Sequence, residues 1–259
     1  MWRLPDFQVT LMADFAARRV SGDRVYYVLN LHVNPTNICV LSCAFCDFAA
    51  KEGDDHAYVM SVEDILARIH PDVNEVHVVG GHHPDLSFEW YEDLLRTIQK
   101  ERPKVQVKAF TAPEIDFFAK RWKLSIDEVF DRLAVVGHVS LTGGGAEGFS
   151  ERVRRILFRG KIPAERWLEI HEMAHARGLR STATMLYGHV ETLAERVTHM
   201  ARLREAQDRS GGFTCFIPLQ YQLGRTQLVA RPVSPLDDLR VLAVSRLVLD
   251  NIPHIKAYW

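Results

Sequence analysis

Three of the four cysteines in this 259-residue chain, Cys39, Cys43 and Cys46, fall within eight residues in the spacing C-x3-C-x2-C. Thiols this crowded ask for a loop organised around something that uses three sulfurs. A closed electron-transfer cluster takes four cysteines, and structural zinc sites pair two C-x2-C knuckles or add histidines. A disulfide framework fits poorly, because only Cys215 is left over. Three thiolates can hold three irons of a [4Fe–4S] cube and leave the fourth iron open to a small molecule. The bland alternative is three buried thiols in an ordinary loop. The spacing favours the open-iron cluster.

Around this loop, short β-rich runs alternate with longer helical patterns, which predicts βα units and a parallel sheet. Strands are expected near 25–33, 75–79, 105–110, 134–141, 181–186, 213–219 and 254–258, with helices between them. Ser61 with Asp64, and Ser125 with Glu128, read as helix-opening caps. Leu193, Val197 and Met200 give an apolar stripe to a helix expected over 191–208. Ser234 followed by Pro235 opens another. Seven such units in one domain, 1–259, predict an α/β fold of the (β/α) TIM-barrel type. Sites in such barrels sit in the loops after the C-terminal ends of the strands.

Composition narrows the partners. The net charge of −1 gives no reason to expect nucleic acid or an anionic membrane. No run of 18 apolar residues is present, and the opening Met1-Trp2-Arg3-Leu4 is no secretion signal. Free cysteines without such a signal predict a cytoplasmic protein.

Polar and glycine-rich segments follow the expected strands, as one site at a barrel mouth requires. Gly80-Gly81 is compatible with a strand-ending turn or with close approach of bare backbone to a ligand. Gly143-Gly144-Gly145 exceeds what a turn needs, and Glu147 is either a surface carboxylate or an acceptor for ligand hydroxyls. Lys108, Arg225 and Lys256 are either solvated charges or contacts for an anionic substrate. Cys215, inside an apolar run, reads as a small core residue. His171-Glu172-Met173-Ala174-His175 matches the H-E-x-x-H zinc motif, with Glu191 or Glu195 as a third ligand. A helix over 163–177 in the middle of a βα unit would instead coat the barrel exterior, with Trp167, Ile170 and Ala174 facing inward.

The cysteine motif, with Phe45 before its last cysteine, resembles the signature of radical S-adenosylmethionine (radical SAM) enzymes. Blocks at 34–39, 78–81, 83–85, 108–112, 143–147, 183–192, 211–213, 216–219 and 254–259 are similar to the futalosine-pathway branch of menaquinone biosynthesis. Within that branch they are most similar to the aminofutalosine synthases. The resemblance implies a [4Fe–4S] cluster on Cys39, Cys43 and Cys46, and S-adenosylmethionine as co-substrate beside Phe45, Gly80, Gly81, Gly144 and Glu147. It also implies a small-molecule substrate, with Lys108, Thr111, Tyr187, His189 and Arg225 as candidate contacts, and a one-electron reductant of the flavodoxin or ferredoxin type. The implied reaction joins the 5′-deoxyadenosyl group to 3-[(1-carboxyvinyl)oxy]benzoate, giving 6-amino-6-deoxyfutalosine, methionine and CO2 or bicarbonate. The cyclic dehypoxanthine futalosine synthases of the same pathway are the alternative, ahead of a zinc hydrolase or a non-catalytic remnant. The sequence departs from the family at His82 and Gly148. Family members also continue beyond the position of Trp259, which predicts a partial barrel lacking its last strand–helix unit.

Overall fold

The computed structural model describes residues 4–137 and 140–258. Its strands are β1 (Asn30–Val33), β2 (Glu75–Val78), β3 (Gln106–Thr111), β4 (Ser140–Thr142), β5 (Arg180–Tyr187), β6 (Phe213–Gln220) and β7 (His254–Ile255). They form one parallel sheet in the order of the chain, each strand pairing with the next. The result is the expected partial barrel, with β1 and β7 as its two edges. Side chains near these edges touch: Tyr258 hydrogen-bonds Asn30, and Tyr26 meets His254 edge-on at 5.3 Å.

The helices are α1 (Asp6–Ser21), α2 (Val62–Arg68), α3 (Phe88–Glu101), α4 (Ala112–Trp122), α5 (Ile126–Val135), α6 (Glu151–Leu157), α7 (Ala164–Ala176), α8 (Leu193–Ser210) and α9 (Pro235–Val248). Their starts follow from side-chain chemistry. Ser61, Ser87, Thr111, Ser125, Ser150, Thr192 and Ser234 each accept a backbone N–H of the first helical turn. Thr111, Ser125 and Thr192 complete capping boxes with Glu114, Glu128 and Glu195. The core joins Val76, Val78, Val107 and Ala109 of the strands to Leu94, Leu95, Ile98 and Ile115 of the helices, all fully buried. Burial of each large side chain there contributes about 1.5–3 kcal/mol.

Several expected boundaries differ. The strand expected over 25–33 is only Asn30–Val33, because Val25 and Tyr27 are 90% and 83% exposed and meet no neighbouring strand. β-propensity without a partner makes no strand. Of the strand expected over 134–141, Ala134 and Val135 belong instead to α5, opened by its capping box, and β4 is described from Ser140; His138 and Val139 lie outside the described residues. The last strand ends at Ile255 rather than 258. Helix α8 runs Leu193–Ser210, and of the expected stripe only Met200 is buried. Leu193 and Val197 are exposed, and the inner face is His199, Met200, Leu203 and Ala206. Helix α1, which packs on α9, precedes the first βα unit and is not signalled by the alternation. It buries only Val9 and Ala13, so its amphipathic pattern is faint.

Candidate active site

The cysteines occupy the long segment between β1 and α2, and its backbone is pinned on both sides. Asn37 holds it at the base: its amide donates to His56 O at 2.8 Å and accepts from Tyr58 N at 2.8 Å. Cys39 N donates to Ala50 O, and Ala50 N returns the bond to Asn37 O. Lys51 donates to the carbonyls of both Cys39 and Leu41 at 2.8 Å, shaping the turn that presents the thiols. Ala44 N reaches Leu157 O at 2.7 Å, tying the loop to α6. Beneath it lies a small apolar cluster of Val153, Leu157 and Phe158, against which Cys43 and Phe45 pack.

Each thiol is half-buried. The backbone N–H of His82 donates to Cys39 Sγ at 3.4 Å. Burial pushes the Cys43 thiol up to about 11; the nearby Lys161 ammonium opposes this, while Glu147 and the other two thiols add to it. Bound metal cations invert that balance and favour thiolates. Among the described residues no three His, Cys, Asp or Glu side chains converge on a single ion position. A cube takes one thiolate per iron and asks for three separate corners. Three thiols, an N–H aimed at one sulfur and apolar cover by Phe45 and Phe158 fit such a cluster.

Opposite the cysteines stands a pair that sequence reading found only by half. Glu147, held in the left-handed region at φ 44°, receives Lys161 Nζ at 2.6 Å. Lys161 also lies 5.0 Å above the Phe45 ring, and Glu147, Cys43 and Cys46 all raise its pKa against the opposing effect of burial. An ammonium so placed can face a carboxylate as well as Glu147. No motif marks Lys161. Its partner is 14 residues away, and only the fold brings the two together.

The glycine segments are explained first by packing. A Cβ on Gly81 would stand 2.2 Å from Ile38 O, so this glycine admits the backbone of the cysteine loop. A Cβ on Gly143 would strike Thr182 O at 2.7 Å, and one on Gly144 would reach the Thr111 methyl at 2.9 Å. The carbonyl of Gly144 accepts from Trp167 Nε1 at 3.1 Å. Gly80 N donates to Glu114 Oε1 at 3.0 Å, while Oε2 of the same carboxylate accepts from the backbone and hydroxyl of Thr111. Thr111, a candidate substrate contact, is therefore the cap of α4, and residues 112–114 form its first turn. Burial pushes Glu114 up to about 7, against these hydrogen bonds.

Tyr187, His189, Arg225 and Lys108 are each engaged by an acidic partner. Tyr187 donates to Asp238, and His189 sits against Glu191, which is ion-paired to Arg196. Arg225 does not point to open space: its guanidinium and backbone both bond Asp47, and Thr226 N bonds the same carboxylate. That latch ties the segment after β6 to the residue following Cys46. Lys108 is not at the rim but within β3, where it pairs with Glu75 at 2.6 Å. Cys215 departs from its expected place in an apolar core: its surroundings include Lys256, Lys108 and Glu75, and burial pushes its thiol up to about 11.

His171 and His175 lie inside the fold, between α7 and the strands. Both bond the Ser181 hydroxyl, at 2.9 and 2.7 Å, and His175 Nδ1 also bonds Ser210. Trp167, Ile170 and Ala174 are buried beside them. The ring of His171 lies 3.8 Å from that of Trp167, tilted by 32°. The pair packs α7 onto the barrel.

Comparison with known proteins agrees with this geometry. Residues 33–203 match the model of the radical SAM superfamily. The chain is 47% identical over 258 residues to aminodeoxyfutalosine synthase of Thermus thermophilus, covering 96% of this chain and 69% of that protein. It is 39% identical to cyclic dehypoxanthine futalosine synthase of Streptomyces coelicolor, covering 93% and 63%. The chain thus spans about two thirds of the length of these relatives. Among solved structures, methylornithine synthase superposes with a TM-score of 0.73 at 14% identity, covering 95% of this chain and 69% of that one, which speaks for the fold alone. With its thiol triad at the mouth of a parallel half-barrel, the chain belongs to the radical SAM superfamily of enzymes, whose cofactors are a [4Fe–4S] cluster and S-adenosylmethionine.

Proposed function

We propose that the protein is an aminofutalosine synthase, joining the 5′-deoxyadenosyl group of S-adenosylmethionine to 3-[(1-carboxyvinyl)oxy]benzoate. The products would be 6-amino-6-deoxyfutalosine, methionine and CO2 or bicarbonate, with a flavodoxin or ferredoxin as electron donor. The observation that carries the reading is the convergence of Cys39, Cys43 and Cys46 with the Glu147–Lys161 pair at one end of the sheet. The higher identity to the synthase than to the cyclase supports the choice within the branch.

In this reading Cys39, Cys43 and Cys46 would hold the cluster, which when bound and reduced would supply the one electron that cleaves the S–C5′ bond of S-adenosylmethionine into methionine and a 5′-deoxyadenosyl radical. The protein's own residues bind, orient and shield. Lys161 offers its ammonium to the methionyl carboxylate, and Glu147 accepts from hydroxyl or amino groups of the same ligand. Gly80 N donates to Glu114 and Gly81 N to Thr36 O, which together hold the Gly80–Gly81 backbone in place beside the ligand. Phe45 and Phe158 keep water from the cysteine loop, and the Asp47 latch closes the segment after β6 over it.

The fate of the adenosyl carbon tests this. A synthase places a label from the 5′ carbon of S-adenosylmethionine inside aminodeoxyfutalosine, with little free 5′-deoxyadenosine. Stoichiometric release of 5′-deoxyadenosine with turnover of dehypoxanthine futalosine would replace the synthase by the cyclase.

A further inference from the structure

Below the rim, the concave side of the sheet carries charge where a filled barrel would be aliphatic. His32, His77, Lys108 and Ser140 stand side by side in register across β1 to β4. In a barrel closed by packing, such layers hold branched aliphatic side chains. Here Lys108 Nζ lies 2.6 Å from one oxygen of Glu75, and the other oxygen lies 2.6 Å from His77 Nε2. The rings of His32 and His77 are 6.0 Å apart. From across the sheet, Cys215 feels Lys256, Lys108 and Glu75, and Tyr258 feels Glu75. Residues of β2 and β3 can meet residues of β6 and the segment after β7 only across the concave face. One interior therefore holds them all.

Burying such charges is costly even after relaxation, and packing alone would not select it. Lys108 and Lys256 bring two positive charges and Glu75 one negative, an excess of one before any histidine is counted. Glu75 is 6% exposed at its side chain, whereas Lys108 keeps 18%, so the ammonium retains an open side. Lys256 lies 5.0 Å over the Tyr258 ring and lines the same interior. The chemistry asks for one monoanion attached to a body that fills an aromatic-lined cleft.

We infer that this interior cluster is the subsite for a carboxylate of the substrate, with Lys108 its principal contact and Lys256 its second. The identity of that substrate rests on the synthase reading, and depth in the barrel selects which carboxylate it is. His77 lies three residues before Gly80 on an extended strand, about 10 Å below the rim. The enol ether must meet the adenosyl carbon near the rim, so the carboxylate on the benzene ring is the one that reaches the cluster.

The test uses the reconstituted, S-adenosylmethionine-loaded enzyme without reductant, so that substrate binds and does not react. Calorimetry is run with 3-[(1-carboxyvinyl)oxy]benzoate and with 2-phenoxyacrylate, which lacks the ring carboxylate. Lys108→Met should weaken the first about tenfold or more and leave the second unchanged, while Lys108→Arg keeps most of the affinity. Equal affinity of wild type and Lys108→Met for the full substrate overturns the subsite. An equal loss for both compounds overturns the ring assignment. Should Lys108→Met fold poorly, Lys256→Met reads the same interior: a smaller loss for the full substrate alone is expected, and no loss overturns its role. A protein that ignores this substrate but binds 3-methoxybenzoate in a Lys108-dependent way sinks the synthase reading and leaves the subsite standing.

Discussion

Lys161 shows what a single residue contributes when only the fold can reveal it. Its ammonium stands between Glu147, Phe45 and two of the cysteines, so its loss should be felt by a ligand bound at the cluster. Lys161→Met should weaken S-adenosylmethionine binding by about 1.5–3 kcal/mol, the range for a charge-assisted hydrogen bond. Glu147→Ala should cost about 1–3 kcal/mol by removing an acceptor. Titration of the reconstituted protein measures both, and unchanged affinity would remove either residue from the site. The cysteine triad was legible because its three donors are neighbours in sequence. Lys161 was not, because nothing in residues 147–161 links it to Glu147. Glu114 was not legible either: it closes a capping box with Thr111 in the fold, and its bond to Gly80 spans 34 residues.

At the scale of elements, the joint between the cysteine loop and the end of β2 has no spare room. Gly81→Ala would drive a Cβ into Ile38 O and should destabilise the fold by about 1–3 kcal/mol, as overpacking does. Denaturant unfolding checks this, and an unaltered midpoint would mean that the loop yields freely. Helix α7 makes the opposite prediction for function. His171→Ala and His175→Ala should lower stability and leave turnover within a few-fold, because their partners are Ser181, Ser210 and Trp167. Cluster content that stays normal while turnover falls a hundredfold would show that α7 serves the site. The buried histidines also set a pH dependence. Burial pushes His199 down to about 3 and His175 to about 4, from an ordinary value near 6.5. The folded protein keeps them neutral while the unfolded chain takes up protons below 6.5. Their contribution is therefore intact above that pH and is lost as pH falls toward those values, at no more than about 1.4 kcal/mol per pH unit for each. His199→Gln should flatten the fall in unfolding free energy between pH 6.5 and 4. An identical slope would place the proton uptake elsewhere. Sequence reading located most strands through their hydrophobic runs. It assigned Ala134 and Val135 to a strand because both suit either state, and in the fold they complete the helix that Ser125 opens.

For the whole molecule, the parallel order β1 to β7 gathers separate segments at one end and lines the concave interior with polar side chains. Alternation of strand and helix was enough to predict that architecture. It was not enough to show that Lys108 and Cys215 face each other, since register across seven strands is a property of the folded sheet. The central claim is that the gathered end is a three-thiolate cluster site. Anaerobic reconstitution followed by iron and sulfide counting tests it on the wild type, Cys39→Ala, Cys43→Ala, Cys46→Ala and Cys215→Ala. About four irons and four sulfides per chain are predicted for the wild type and for Cys215→Ala, with the cluster absorbance lost in each of the other three. Loss of the cluster on changing Cys215, or its retention without Cys43, would contradict the account.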